Sequence, residues 1–438
     1  MTGLNATLIR GVTVGALVGL LFGFDTAVIA GTTSGVRDAF GLDAGGVGIT
    51  VSSALWGTLV GALTAGIPGD RYGARTSLQA IALLYILSGI GCLLAWDWGS
   101  LLVFRVMAGL AVGASSVLAP VYIAEIAPAD KRGAMVGAFQ LNVVFGILVA
   151  YLSNFFVASL DLGAWDWRVK FGVTAIPAVI LLALLFSIPH SPRWLAAKHR
   201  AREAAAVLAS LGDPDPDRSV AAYQRADDQQ TSAPKLSWAK HRKPILLAFA
   251  VAAFNQLTGI NAILYYLNDI FAAAGFSGTS ADLQAIAIGA ANFVFTGLAL
   301  TVIDRLGRRT LLMIGSVGLA ATLAGTAAIF LSGEGEQYLL WLLLAYIAFF
   351  AFSSGAVIWV YISEIFPTDV RARGQSLGSS THWAFDAVIA GGFPLVAAYS
   401  RGAPFVVFAG AMVAQLVIVF LFFPETKQRS LEQLGQGL

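Results

Sequence analysis

The 438-residue chain is 57% hydrophobic and only 12% charged, with a mean hydropathy of +0.76, so lipid and not water must be the solvent for most of its surface. Its 27 basic and 25 acidic residues nearly cancel to a net charge of +2, which argues against a nucleic-acid partner. The single cysteine, Cys92, rules out an intrachain disulfide and a cysteine metal site.

Apolar segments of roughly 20 residues, the length that crosses a bilayer, recur twelve times. They run Leu8 to Ala30, Val47 to Gly69, Ser77 to Trp96, Leu101 to Tyr122, Ala134 to Ala158 and Val169 to Ile188. A second set follows at Pro244 to Phe271, Leu283 to Ile303, Thr310 to Leu331, Tyr338 to Tyr361, Gln375 to Ala398 and Pro404 to Phe423. The first segment is too long for a cleaved signal, carries Asp25 and precedes eleven further spans, so it reads as a retained helix.

Short cytoplasmic loops collect Lys and Arg. An N-terminus inside the cell puts Arg71, Arg75, Lys131, Arg132, Arg305, Arg308, Arg309, Arg371, Arg373, Lys427 and Arg429 in the cytoplasm, with ten more between Arg193 and Lys243. Only Arg37, Arg168, Lys170 and Arg401 fall outside. The expectation is a multi-pass protein of the plasma (inner) membrane with both termini cytoplasmic.

The longest polar interval, His190 to Lys243, parts the chain into six spans and six spans. The predicted organisation is an N-terminal bundle over 1–189, a cytoplasmic helical linker over 190–243, a C-terminal bundle over 244–424 and a cytoplasmic tail over 425–438. In the linker, Arg193 to Leu211 reads as an amphipathic helix, Asp213 to Asp217 as a break, and Gln229 to Pro234 as connecting chain.

The halves echo each other. Asp70-Arg71-Tyr72-Gly73-Ala74-Arg75 joins spans two and three, and Asp304-Arg305-Leu306-Gly307-Arg308-Arg309 joins spans eight and nine. Glu125-Ile126-Ala127-Pro128 with Arg132 follows span four, and Glu364-Ile365-Phe366-Pro367 with Arg371 follows span ten. Such pairing is the mark of a repeat-built transporter. These carboxylates and arginines are expected to form a cytoplasmic gating network that latches the two halves together in one conformation.

A charge inside a span costs at least ~2.5–3.5 kcal/mol on insertion scales, so each needs a partner or a task. Asp25 and Arg105 both lie roughly 8 Å below the outer edge, counting about 1.5 Å per residue. An ion pair is therefore expected. Arginine does not give up its proton in a protein, which makes Asp25 the proton carrier: paired with Arg105 it stays ionised, and burial without that partner favours proton uptake. A static salt bridge between two helices is the plainer alternative.

A small polar solute needs amides to hydrogen-bond it and aromatic rings to stack on its apolar faces. The spans supply Gln140, Asn255, Gln256, Asn261, Tyr265, Tyr266, Asn292, Trp359, His382 and Trp383. Asn261 and Tyr265 share a helix face, with Gln256 about a turn away. Asn142 and Asn154 read as helix–helix glue.

The two loop motifs resemble those of the sugar porter family of the major facilitator superfamily. So do Pro189-His190-Ser191-Pro192-Arg193-Trp194, Asn255-Gln256-Leu257-Thr258-Gly259-Ile260-Asn261 with Tyr265-Tyr266, and Pro424-Glu425-Thr426-Lys427. The likeness covers nearly the whole chain and is strongest to bacterial xylose/proton and plant monosaccharide/proton symporters. It implies an all-α membrane protein of two pseudo-symmetric six-helix bundles working by alternating access. It also implies that Phe22, Gln140, Gln256, Asn261, Asn292, Gly355, Trp359 and Trp383 line the solute cavity. Proton-coupled members carry Asp in the stretch Gly23-Phe24-Asp25, whereas passive glucose facilitators carry Asn.

The chain departs from the family pattern in span eleven. His382 stands where relatives usually have an amide or another small polar residue, and Asp386 where they usually have Asn. At i, i+4 this pair is positioned to interact, as a second titrating element or a selector of an unusual polyol, or simply as two hydrogen-bonding groups. His190 replaces a Glu, and Ala356 a Pro common among relatives.

The preferred reading is a proton/monosaccharide symporter for a pentose or hexose. Its alternatives are a passive facilitator or exchanger, a polyol or inositol transporter, and a transporter-like sensor, which would usually carry a long signalling tail. An enzyme is not expected: of His190, His199, His241 and His382 only the last lies in a span, and no nucleophile–base pair or metal cluster accompanies it. No phosphate-cradling loop is seen, so the proton gradient is the energy source and no cofactor or metal is called for. The partners expected are solute, protons and lipid, with a monomer as the working unit.

Overall fold

The computed structural model describes residues 5–128, 131–230, 236–367 and 370–426; the side chains of 226–230, 300, 302–305 and 372 also lie outside the described set. Every described element is helical. In lipid the backbone must satisfy its own hydrogen bonds within each segment, and an uninterrupted apolar run does so as a helix.

In the first half the spans are Ala6–Val28, Ala44–Thr64, Ala74–Leu93, Trp98–Ile126, Arg132–Ala158 and Gly163–Leu185. In the second they are Trp238–Tyr265, Gly278–Leu306, Arg308–Ser332, Glu336–Ile365, Arg371–Tyr399 and Ala403–Phe422. Polar residues punctuate them. Asn5, Asp43 and Ser277 each accept a backbone N–H of the first helical turn, and Asp97 with Ser100 forms a reciprocal capping box.

Among the described residues, eleven of these spans are long and apolar enough by themselves to cross a membrane, and the eleventh in order, Arg371–Tyr399, is not among them. Its 29 residues give ample length. Gln375, Ser376, Ser379, Ser380, Thr381, His382 and Asp386 dilute its hydropathy. The span most weakly marked as membranous thus carries a cluster of polar side chains in its first half.

Three expected helices are interrupted. Span seven, read as continuous from Pro244 to Phe271, breaks after Leu257 and restarts at Ile260, with Gly259 at φ +81°. The left-handed conformation suits glycine, and a Cβ there would strike the Phe408 ring. Span ten carries a π-helical turn over Ala351–Gly355, a rare form enriched at functional sites. In the linker, the single helix expected from Arg193 to Leu211 is two, Pro192–Ala197 and Ala201–Ser210, parted at His199 with φ +57°. A third helix, Pro216–Gln230, runs from the end of the expected break to the start of the expected connection, over chain given no reading of its own. The rest of that connection, 231–234, lies outside the described residues.

Spans two and eleven, and spans five and eight, form the two seams between the halves. Glycines permit the close approach: a Cβ on Gly48 would collide with the Gly391 carbonyl across the first seam. One apolar cluster joins both halves, with Phe24, Val51, Ile147 and Trp167 packed with Ile263, Phe271, Leu323 and Phe405. It lies toward the end opposite the arginine-rich loops. At the arginine-rich end the cores separate: Leu8, Tyr122, Ile126 and Ile188 belong to one cluster, and Leu247, Ile365, Phe366 and Phe423 to another.

Polar contacts follow the same division. At the end opposite the arginine-rich loops, Thr33 Oγ1 donates to Asp269 Oδ2 at 2.7 Å, and Tyr151 Oη donates to the Leu264 carbonyl at 3.0 Å. Both cross between halves. The structure is therefore closed at that end.

Candidate functional site

Two constellations of polar side chains meet near the middle of the bundle. The first is the pair expected from depth: Arg105 Nη1 donates to Asp25 at 3.3 Å (Oδ1) and 3.4 Å (Oδ2), with the residues 3% and 5% exposed. The Arg105 guanidinium also lies 5.1 Å from the centre of the Phe171 ring. The Gly-rich stretch of span one makes room for this: a Cβ on Gly23 would collide with the Val143 carbonyl, so spans one and five touch backbone to backbone beside Asp25.

The second belongs to the C-terminal half. Asn261 Nδ2 donates to Asp386 Oδ2 at 2.9 Å and to Gln256 Oε1 at 3.3 Å. The Gln256 amide nitrogen donates to the His382 ring, 2.9 Å from Nε2 and 3.1 Å from Nδ1. Tyr265 Oη donates to Asp386 Oδ2 at 3.1 Å. Rings surround this network: His382 lies 5.2 Å from Trp359 and 5.0 Å from Trp383, and Trp383 lies 5.8 Å from Phe22 of the other half. The break at Thr258–Gly259 turns Asn261 and Tyr265 toward span eleven while Gln256 stays on the preceding segment.

His382 and Asp386 do not bond each other directly, contrary to the expectation from their i, i+4 spacing. They face different segments of span seven and are linked only through Gln256 and Asn261. A cavity lined by Asp25, Arg105, Thr58, Tyr265 and Trp383 joins the two constellations.

Other residues expected at the solute site stand apart from this network. Gln140 is half-buried on span five, next to Phe139, whose ring is 6.4 Å from Phe22. Asn292 is buried on span eight and accepts from Thr296 Oγ1 at 3.4 Å. Gly355 ends the π-turn of span ten, where a Cβ would meet the Phe350 ring at 2.9 Å. Asn255 and Tyr266 serve the fold: Asn255 donates to the Ser354 carbonyl at 3.0 Å and Tyr266 to the Ala390 carbonyl at 2.9 Å. Asn154 donates to the Val28 carbonyl at 3.1 Å, and Asn142 to Ala138 of its own helix at 2.9 Å.

At the arginine-rich end the two repeats fold alike. Gly73 and Gly307 both turn with positive φ, +82° and +91°. Each is covered: a Cβ on Gly73 would meet the Trp194 ring at 2.9 Å, and one on Gly307 the Glu425 carboxylate at 2.7 Å. Trp194 Nε1 donates to the Asp70 carbonyl at 3.1 Å, and Arg75 donates to the Leu185 and Phe186 carbonyls at 3.1 Å. Arg71 lies over the Tyr72 ring at 5.3 Å. Glu125, Arg132 and Arg193 line a cavity with Tyr223.

In the second repeat Arg308 Nη2 donates to Glu364 Oε1 at 2.9 Å, and Glu425 accepts the backbone N–H groups of Arg308 and Arg309 at 2.9 and 3.1 Å. Thr426 Oγ1 donates to Glu364 Oε2 at 2.6 Å. Arg371 begins span eleven. The side chains of Asp304 and Arg305 lie outside the described set, as do Lys427 and Arg429. The contacts just named join residues of one half to each other or to the linker. Glu425 and Thr426 were not expected in the network; the Pro424-Glu425-Thr426 motif was their only signal.

The comparisons agree with this architecture. A family model described as "Sugar (and other) transporter" matches residues 11–438, and the chain belongs to that family. The D-xylose-proton symporter of Escherichia coli (strain K12) is 32% identical, over 99% of this chain and 96% of its own. The glucose facilitated diffusion protein of Zymomonas mobilis is 35% identical, over 97% and 96%. An inward open conformation of the xylose transporter XylE from E. coli superimposes with a TM-score of 0.88 at 30% identity, covering 98% of this chain and 99% of that one. The fold is thus the twelve-helix transporter fold, and the protein moves a solute across a membrane and is not an enzyme.

Proposed function

We propose that the chain is a proton-coupled symporter that imports a monosaccharide by alternating access. The observation that carries this reading is a buried carboxylate–guanidinium pair, Asp25 with Arg105, sharing one cavity with Tyr265 and Trp383 of an amide- and ring-lined pocket. Asp25 is the proton carrier and Arg105 its partner. Gln256, Asn261, Tyr265, His382 and Asp386 meet sugar hydroxyls, while Phe22, Trp359 and Trp383 pack against the C–H face. Gln140, Asn292 and Gly355 complete the lining when the halves move.

A closed end opposite the arginine-rich loops corresponds to an inward-facing state if those loops are cytoplasmic, as the positive-inside rule has them. The loop carboxylates and arginines then act as a gate whose bonds between halves form when that end closes. The plasma (inner) membrane, cytoplasmic termini, a monomeric unit and the absence of a cofactor belong to the same reading. Relatives named as symporters for xylose and galactose support proton coupling and a pentose or hexose substrate.

Passive facilitation is the second reading, favoured by the glucose facilitated diffusion relative. Uptake of labelled D-xylose, D-glucose, D-galactose and myo-inositol into proteoliposomes separates the two. Accumulation above equilibrium that requires an inside-alkaline gradient is the symport result. Equilibration at the same level with and without a gradient is the facilitator result.

A further inference from the structure

We propose that Asp386 is a second proton-carrying carboxylate, built into the solute pocket itself, so that each cycle moves two protons with one sugar. The inference rests on the symport reading above.

Asp386 is 1% exposed, yet among the described residues it has no ion-pair partner. Its donors are neutral: the Asn261 amide and the Tyr265 hydroxyl, both on Oδ2. Oδ1 is left to hold a proton. A charge placed in a span without a counter-charge is costly, and Asp25, the buried carboxylate of the neighbouring cavity, meets that cost with Arg105. Asp386 has only its two neutral donors to hold a charge, so losing them favours binding a proton.

The titratable groups around it do not change this. On its own helix, His382 receives the Gln256 amide, which requires an unprotonated ring nitrogen. The directions of the amide bonds agree, since Asn261 donates both to Asp386 and to Gln256. Span seven brings Tyr265, with Tyr266 bonded to Ala390. Ala44–Thr64 and Ala403–Phe422, packed on either side, contain no titratable residue. In span ten, Glu364 is held by Arg308 and Thr426, and Tyr361 donates to the Pro424 carbonyl. Across the cavity stand Asp25 and Arg105, already paired.

Coupling follows from shared donors. Asn261 and Tyr265 are groups a sugar hydroxyl would use. A sugar that takes them removes the two bonds holding the carboxylate charge, and protonation then restores the balance while giving the sugar an acid O–H to accept from. Two protons and one sugar bind from the proton-rich side and are released on the other, with no bond in the sugar changed. Tyr265 touches Asp386 and also lines the cavity of Asp25, so one side chain links the two carboxylate sites.

The test is the equilibrium accumulation of D-xylose, D-glucose or D-galactose in proteoliposomes with the membrane potential clamped at zero and the pH difference varied. One proton per sugar gives about tenfold accumulation per pH unit, and two give about a hundredfold. The expected result is about a hundredfold for wild type and for Asp386→Glu, and about tenfold for Asp386→Asn. The ratio is set at equilibrium, so a slow variant still reports it. Should Asp386→Asn fail to insert, the wild-type ratio decides. About tenfold in wild type, or about a hundredfold in Asp386→Asn, overturns the proposal alone. Equilibration without accumulation for all three sugars overturns the symport reading and the proposal with it.

Discussion

Arg105 reaches across from span four to place its guanidinium 3.3 Å from the Asp25 carboxylate of span one, in a setting closed to solvent. Breaking a buried pair by removing one partner costs about 3–5 kcal/mol, because the other charge is stranded. Arg105→Met is expected to lower the thermal midpoint of the detergent-solubilised protein markedly. A midpoint within a degree or so of wild type would mean that water reaches the pair.

The solute network predicts a graded loss of binding. Asn261 donates to both Asp386 and Gln256, so Asn261→Ala removes two bonds at once. Asn142→Ala removes one bond within its own helix, away from the pocket. At about 1–3 kcal/mol per partner left unsatisfied, Asn261→Ala weakens sugar binding tenfold or more by calorimetry. Asn142→Ala leaves it within about twofold; equal effects of the two would detach the network from the solute.

Glycine packing gives a stability contrast. A Cβ on Gly109 would collide with the Ala54 carbonyl where spans two and four touch, whereas one on Gly410 meets open space. Gly109→Ala overpacks the contact, at about 1–3 kcal/mol. Gly410→Ala gains roughly 0.5–1 kcal/mol of helix stability. Thermal unfolding of the two variants should therefore move in opposite directions.

The linker carries a pH prediction. His190 stacks on Trp194 at 5.4 Å, and burial, with Arg75 and Arg200 nearby, lowers its pKa, with Glu203 opposing. A depressed folded value means that the unfolded chain takes up the proton first. Docking strength is thus full above about pH 6.5 and is lost as the pH falls below it. Limited proteolysis of the linker should accelerate below that pH in wild type and far less in His190→Phe, which keeps the stacked ring.

Much of this was legible in the sequence because membranes make strong demands. Span length, positive-inside bias and repeated loop motifs gave the twelve helices and two halves, and equal depth paired Asp25 with Arg105. The pairings of His382 and Asp386 were not legible. They depend on how span eleven is rotated and on the break at Gly259, which turns Asn261 toward Asp386 and leaves Gln256 to His382. Periodicity carries little of that information here, because the lipid-facing and core-facing sides of these helices are both apolar. The gate is legible only in part for a related reason: loop motifs name the charged residues, but which half each one bonds depends on the conformation.

The central claim is that Asp25 couples proton movement to solute movement, and its most direct test is D-xylose accumulation in proteoliposomes with an inside-alkaline gradient, comparing wild type with Asp25→Asn. The account predicts accumulation above equilibrium in wild type and none in Asp25→Asn, with sugar binding retained. Equal accumulation in both proteins would contradict it and reduce the Asp25–Arg105 pair to a structural tie.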